Sequence, residues 1–109
     1  MINRSAVLIR PKQPYIDWAS TLDDSEVVPE IDGEKTIYLI PEYDSPEQGW
    51  IILRKYYEDI FENELLGWHT YEPEWPQDRS YKMFKEWFDI EFHSTIEDLV
   101  GGSIIDDIE

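Results

Sequence analysis

Apolar positions along the chain switch between two periods. Residues 5–10, SAVLIR, form a short unbroken apolar run with β-branched members, which predicts a buried strand. Pro11 and Pro14 break it, and Tyr15, Trp18, Ala19 and Leu22 then recur at helical spacing. Pro14 stands where a first-turn proline is tolerated, so a short helix is expected, ending near Asp23-Asp24. Thr36 to Ile40, TIYLI, is apolar on both faces, the pattern of a central strand closed by Pro41. Ser45, Pro46 and Gln48 combine a capping serine, a first-turn proline and a glutamine three residues on. A long helix follows, with Trp50, Leu53, Tyr57, Ile60, Phe61 and Leu65 on one face and Gly67 as its stop signal. Asp78 can cap a shorter helix to about Trp87, with Tyr81, Phe84 and Trp87 or Phe88 inward and Arg79, Lys82 and Lys85 as a basic stripe. From Asp89 to Glu97 the pattern alternates. Ile90, Phe92 and Ile96 point one way, and Asp89, Glu91, His93, Thr95 and Glu97 point the other. This is the signature of a half-exposed antiparallel or edge strand.

The order strand, helix, strand, helix, helix, strand predicts an α+β fold, a two-layer α/β sandwich. We expect a small mixed sheet of three to four strands with two to three helices packed mainly on one face. In that sheet the first strand–helix–strand unit is parallel with a right-handed crossover. Val27, Val28 and Ile31 suggest a further short edge strand before an Asp32-Gly33 turn. Residues 1–100 read as a single domain and 101–109 as a flexible acidic tail that begins with two glycines.

Composition narrows the function classes. The 109 residues include five Trp, seven Tyr and four Phe, enough buriable area for a core without staples. There is no cysteine, which excludes a disulfide scaffold, a thiolate metal site and a cysteine nucleophile. No apolar stretch approaches the roughly 20 residues of a membrane helix, and the N-terminus lacks a signal-peptide pattern, so a cytoplasmic protein is expected. Twenty-five acidic residues oppose nine basic ones, for a formal charge of −16. A field of that sign repels phosphates and anionic lipid, so direct nucleic-acid binding and membrane binding are not expected, whereas a basic protein would be attracted.

N-R-S-A-V at 3–7, P-K-Q-P at 11–14, Y-L-I-P-E at 38–42 and W-F-D-I-E-F-H-S at 87–94 resemble a family of small acidic bacterial proteins with no established function. The resemblance extends to about Val100. It implies a bacterial single-domain protein and supplies no mechanism.

Candidate chemistry is sparse. Glu91 and His93, two apart on a strand, share a face, and carboxylate with imidazole suits a divalent metal such as Zn²⁺, Mn²⁺ or Fe²⁺. His69 would join them if the connection after Gly67 folds toward the last strand. The competing reading is a solvated polar face, since no H-x-x-x-H or H-E-x-x-H spacing occurs. The acidic loop of Asp23-Asp24, Glu26, Glu30, Asp32 and Glu34 lacks calcium-loop spacing. No G-x-S-x-G and no phosphate-cradling glycine loop is present, which favours a protein that is not an enzyme.

The connection G-W-H-T-Y-E-P-E-W-P supplies Trp68, Tyr71 and Trp75, which either close over the core or contact a partner. After Lys85 the chain carries eight acids and neither Lys nor Arg, which brings Glu97 and Asp98 into the same candidate surface. The reading these features favour is an acidic protein-interaction module, inhibitor-like or immunity-like, that docks a basic partner. The alternative is a small metal-binding protein or metal-dependent enzyme using the Glu91/His93 face. A homodimer through a strand edge is a third reading.

Overall fold

The computed structural model describes residues 3–22 and 35–100. The expected strand at 27–31, its Asp32-Gly33 turn, the acidic loop at 23–34 and the tail at 101–109 lie outside the described residues. In chain order the elements are β1 (Ser5–Pro11), α1 (Gln13–Ser20), β2 (Thr36–Ile40), α2 (Pro46–Trp68), a 3-10 turn (Glu72–Glu74), α3 (Tyr81–Trp87) and β3 (Phe88–His93). The fold is α+β, three helices against a three-stranded sheet of order β2-β1-β3.

The sheet is antiparallel throughout, so it is not mixed and β1 and β2 are not parallel. Ser5 pairs with Ile40 and Ile9 with Thr36, so β2 starts beside the end of β1. Because β1 and β2 run antiparallel, the connection that carries α1 makes no parallel crossover. Strand–helix–strand order alone could not separate the two cases. β1, not β2, is the central strand. Its apolar run is flanked on both sides, whereas β2 has one neighbour among the described residues. Pro11 ends β1 without breaking it earlier, because the last residue of a strand tolerates a missing N–H.

The starts of α2 and α3 are explained by their serine caps. Ser45 Oγ accepts from the Gln48 N–H (3.3 Å), while Gln48 Oε1 accepts from the Asp44 N–H (2.8 Å). The expected reciprocal cap is present, with its return bond shifted one residue outward. At α3 the cap is Ser80, not Asp78: Ser80 Oγ accepts from the Met83 N–H at 3.0 Å. Arg79 therefore precedes the helix, and its guanidinium reaches Pro76 O and Glu62, so it does not share a stripe with Lys82 and Lys85. Gly67 does not stop α2. The helix runs on to Trp68, and the closing bond is the His69 N–H to Leu65 O (2.9 Å). α3 passes into β3 with no intervening loop, and Phe88 is both the cap of one and the first residue of the other. β3 ends at His93, so Thr95 and Glu97 do not extend its polar face.

One apolar layer joins these elements. Val7 and Ile9 of β1, Ile40 of β2, Leu53, Ile60, Phe61 and Leu65 of α2, Phe84 of α3 and Phe88 of β3 form the buried core. Phe61 is its hub, with ring centroids 5.9 Å from Phe84, 5.7 Å from Trp87 and 5.4 Å from Phe88, the first two tilted and the last edge-on. The first turn of α2 lies close against β3: a Cβ at Gly49 would stand 3.2 Å from the Phe92 ring. Side-chain absence at this position is what lets helix and strand approach.

Candidate interaction surface

The antiparallel register fixes what the second face of the sheet displays. Val7 and Ile9 point to the helices, so Ala6, Leu8 and Arg10 point away from them. Across the sheet this gives three rows. Ala6 lies between Leu39 and His93, Leu8 lies between Ile37 and Glu91, and Arg10 stands opposite Asp89. The β2 side of this face is apolar and open: Ile37 is 63% and Leu39 49% exposed. The β3 side is acidic, with Asp89, Glu91 and His93 all exposed.

Arg10 organises the acidic side. Its guanidinium meets Asp89 Oδ2 at 3.2 Å and Glu91 Oε1 at 3.7 Å. The other carboxylate oxygen of Glu91 contacts His93 Nε2 at 2.6 Å. The expected proximity of Glu91 and His93 is therefore present, but an arginine occupies the same carboxylates and competes with any cation. His69 stands elsewhere. It follows the end of α2, whereas the helix start packs on Phe92, beside His93; some 20 residues of helix separate these ends, about 30 Å. His69 Nε2 instead contacts Glu74 Oε1 at 3.0 Å. Among the described residues no group of three or more His, Asp or Glu is placed to hold a metal ion.

The aromatic connection closes over the core. Trp75 is buried, and its indole donates to His69 O at 2.7 Å. Trp68 is half-buried against the core, and the Trp18 indole donates to Glu74 O (3.0 Å), tying the connection to α1. A buried Trp75 has no face to offer a partner, while Tyr71 is exposed. Glu97 is exposed and Asp98 half-buried beyond β3; the Asp98 carboxylate accepts from the Val100 N–H at 2.9 Å.

A second feature flanks the same edge. A groove of about 750 Å³ runs between β2 and α2, lined by residues 38–41 and by Tyr56, Asp59, Ile60 and Asn63, with Arg4 beside it. Tyr38 links its two walls, donating to Glu64 Oε2 (2.5 Å) and accepting from Asn63 Nδ2 (2.8 Å). Burial, reinforced by the Glu64 carboxylate, holds the Tyr38 hydroxyl well above the usual tyrosine range.

The apolar half of this surface, Ile37 and Leu39, was missed by the sequence reading, which buried both faces of β2. Arg10, the only charged residue in β1, was the signal for the ion pairs. No helix among the described residues is long and apolar enough to cross a membrane. No family model, curated protein or solved structure matches the chain.

Proposed function

We propose that this protein is an interaction module that docks a basic protein partner on the sheet face that displays Ala6, Leu8 and Arg10, away from the described helices. The observation that carries the reading is the placement of exposed Ile37 and Leu39 on the same sheet face as the acidic row Asp89 and Glu91, with the central strand β1 between them. Apolar contacts of this kind supply affinity, and the surrounding charge supplies speed and choice of partner. The formal charge of −16 gives the whole chain a net negative field that draws in a basic partner. Arg10 neutralises one of the two carboxylates of the row, so the face keeps net negative charge.

The test is capture from a lysate of the source cells on immobilised protein at low salt, with stepwise salt elution and identification by mass spectrometry. A basic protein that binds saturably and elutes at moderate salt is expected. Uniform, unsaturable retention of all basic proteins would reject the reading.

A further inference from the structure

We infer that the groove between β2 and α2 receives an extended segment of the partner as an added strand on the outer edge of β2. The inference rests on the basic-partner reading and specifies how the partner is held.

Three observations converge on it. The groove touches residues 38, 39 and 40 in succession, although neighbouring strand residues point to opposite faces, so it runs along the strand's edge and not over one face. Among the described residues that edge pairs with nothing, since β2 contacts only β1 in the sheet. In an antiparallel strand every second residue directs its N–H and C=O away from its neighbour, so β2 presents backbone groups ready for a further strand. The opposite wall, Tyr56, Asp59, Ile60 and Asn63, follows helical spacing and is one continuous face of α2.

The walls set the chemistry of the occupant. A strand of about five residues matches the length of β2, roughly 17 Å. Its alternate side chains fall on two sides. One set lies beside Ile37 and Leu39 and is apolar. The other faces α2, where Asp59, the acidic residue lining the groove, favours Lys or Arg. Arg4 precedes Ser5, which pairs with Ile40, so it stands at the Pro41 end and leaves the basic side chains to the Tyr38 end. A second copy of this chain fits poorly, because each copy carries a formal −16. The occupant is therefore a segment of alternating apolar and basic residues, bound by strand addition.

The probe is the peptide Ac-KVKVKVK-amide, compared with the block isomer Ac-KKKKVVV-amide of the same composition, titrated into the ¹⁵N-labelled full chain. The alternating peptide should shift the amide signals of residues 36–40 and 56–63 and bind roughly tenfold tighter than its isomer. Asp59→Lys, an exposed substitution, should weaken the alternating peptide about fivefold and leave the free spectrum otherwise unchanged. Equal affinity of the two peptides, shifts confined to other surfaces, or no saturable binding would each overturn the inference. If the captured basic protein binds while both peptides fail, strand addition falls and the basic-partner reading stands. If neither the protein nor the peptides bind saturably, both fall.

Discussion

Ile37 and Ile40 are three residues apart on one strand, chemically identical, and placed in opposite environments: 63% exposed against 3%. Replacing each by alanine separates the open face from the core. Fully burying an isoleucine side chain stabilises by about 1.5–3 kcal/mol, so Ile37, about a third buried, contributes on the order of 0.5–1 kcal/mol. Ile40→Ala also leaves a cavity against the core, and buried isoleucines lose about 2–5 kcal/mol on this change. With a urea slope of about 1.5 kcal/mol/M, the midpoint should fall by roughly 1.3–3.3 M for Ile40→Ala and by less than about 0.7 M for Ile37→Ala. Tryptophan fluorescence reports the transition, since Trp75 and the partly buried Trp18, Trp68 and Trp87 pack against the core. Equal midpoint losses would refute the reasoning, because they would mean that something covers Ile37 and that the face is not open.

Two further predictions follow from the same geometry. Gly67 lies in the last turn of α2, with nothing within 4 Å of where a Cβ would stand, so Gly67→Ala should stabilise by up to about 1 kcal/mol in thermal melting; a loss would show that the position needs glycine's backbone freedom. Burial raises the hydroxyls of Tyr15 and Tyr38 above their ordinary value of 10.0. Above about pH 10 the unfolded chain releases protons that the folded chain keeps, so stability contributed by these tyrosines is complete below that pH and declines as pH rises. Urea unfolding across pH 9–11 should show that decline, and it should flatten in the Tyr15→Phe/Tyr38→Phe double variant; an unchanged slope would remove these two tyrosines as its source.

Local chemistry in the sequence was a good guide where one residue decides the outcome. The Ser45–Gln48 cap follows from side-chain hydrogen bonds within a few residues, the Pro14 helix start from proline's fixed backbone angle in a first turn, and β1 from its unbroken apolar run. The readings that failed depend on distant partners. Whether β1 and β2 run parallel is decided by pairing across the sheet, and the order of elements is the same in both cases. TIYLI is apolar on alternate and intervening positions, a pattern shared by a central strand and by an edge strand with a docking face. Gly67 resembles a helix stop, yet packing of Leu65 beneath the last turn carries the helix past it. The site divides the same way. The Glu91–His93 contact was legible from a spacing of two on a strand, whereas Arg10 beside them comes from a strand some 80 residues earlier. Trp75 carried the composition of a hot-spot residue, but the turn at Glu72–Glu74 directs it into the core.

The central claim is that the sheet face away from the described helices, apolar along β2 and acidic along β3, holds a basic partner. The most direct measurement is the affinity of the captured protein for the wild-type chain and for Ile37→Asp/Leu39→Asp, each at low and moderate salt. Both positions are exposed, so the variant should keep its circular dichroism spectrum. The account predicts saturable binding that weakens with salt, and a loss of roughly tenfold or more in the variant at either salt. Binding that is indifferent to both the substitutions and the salt would contradict it.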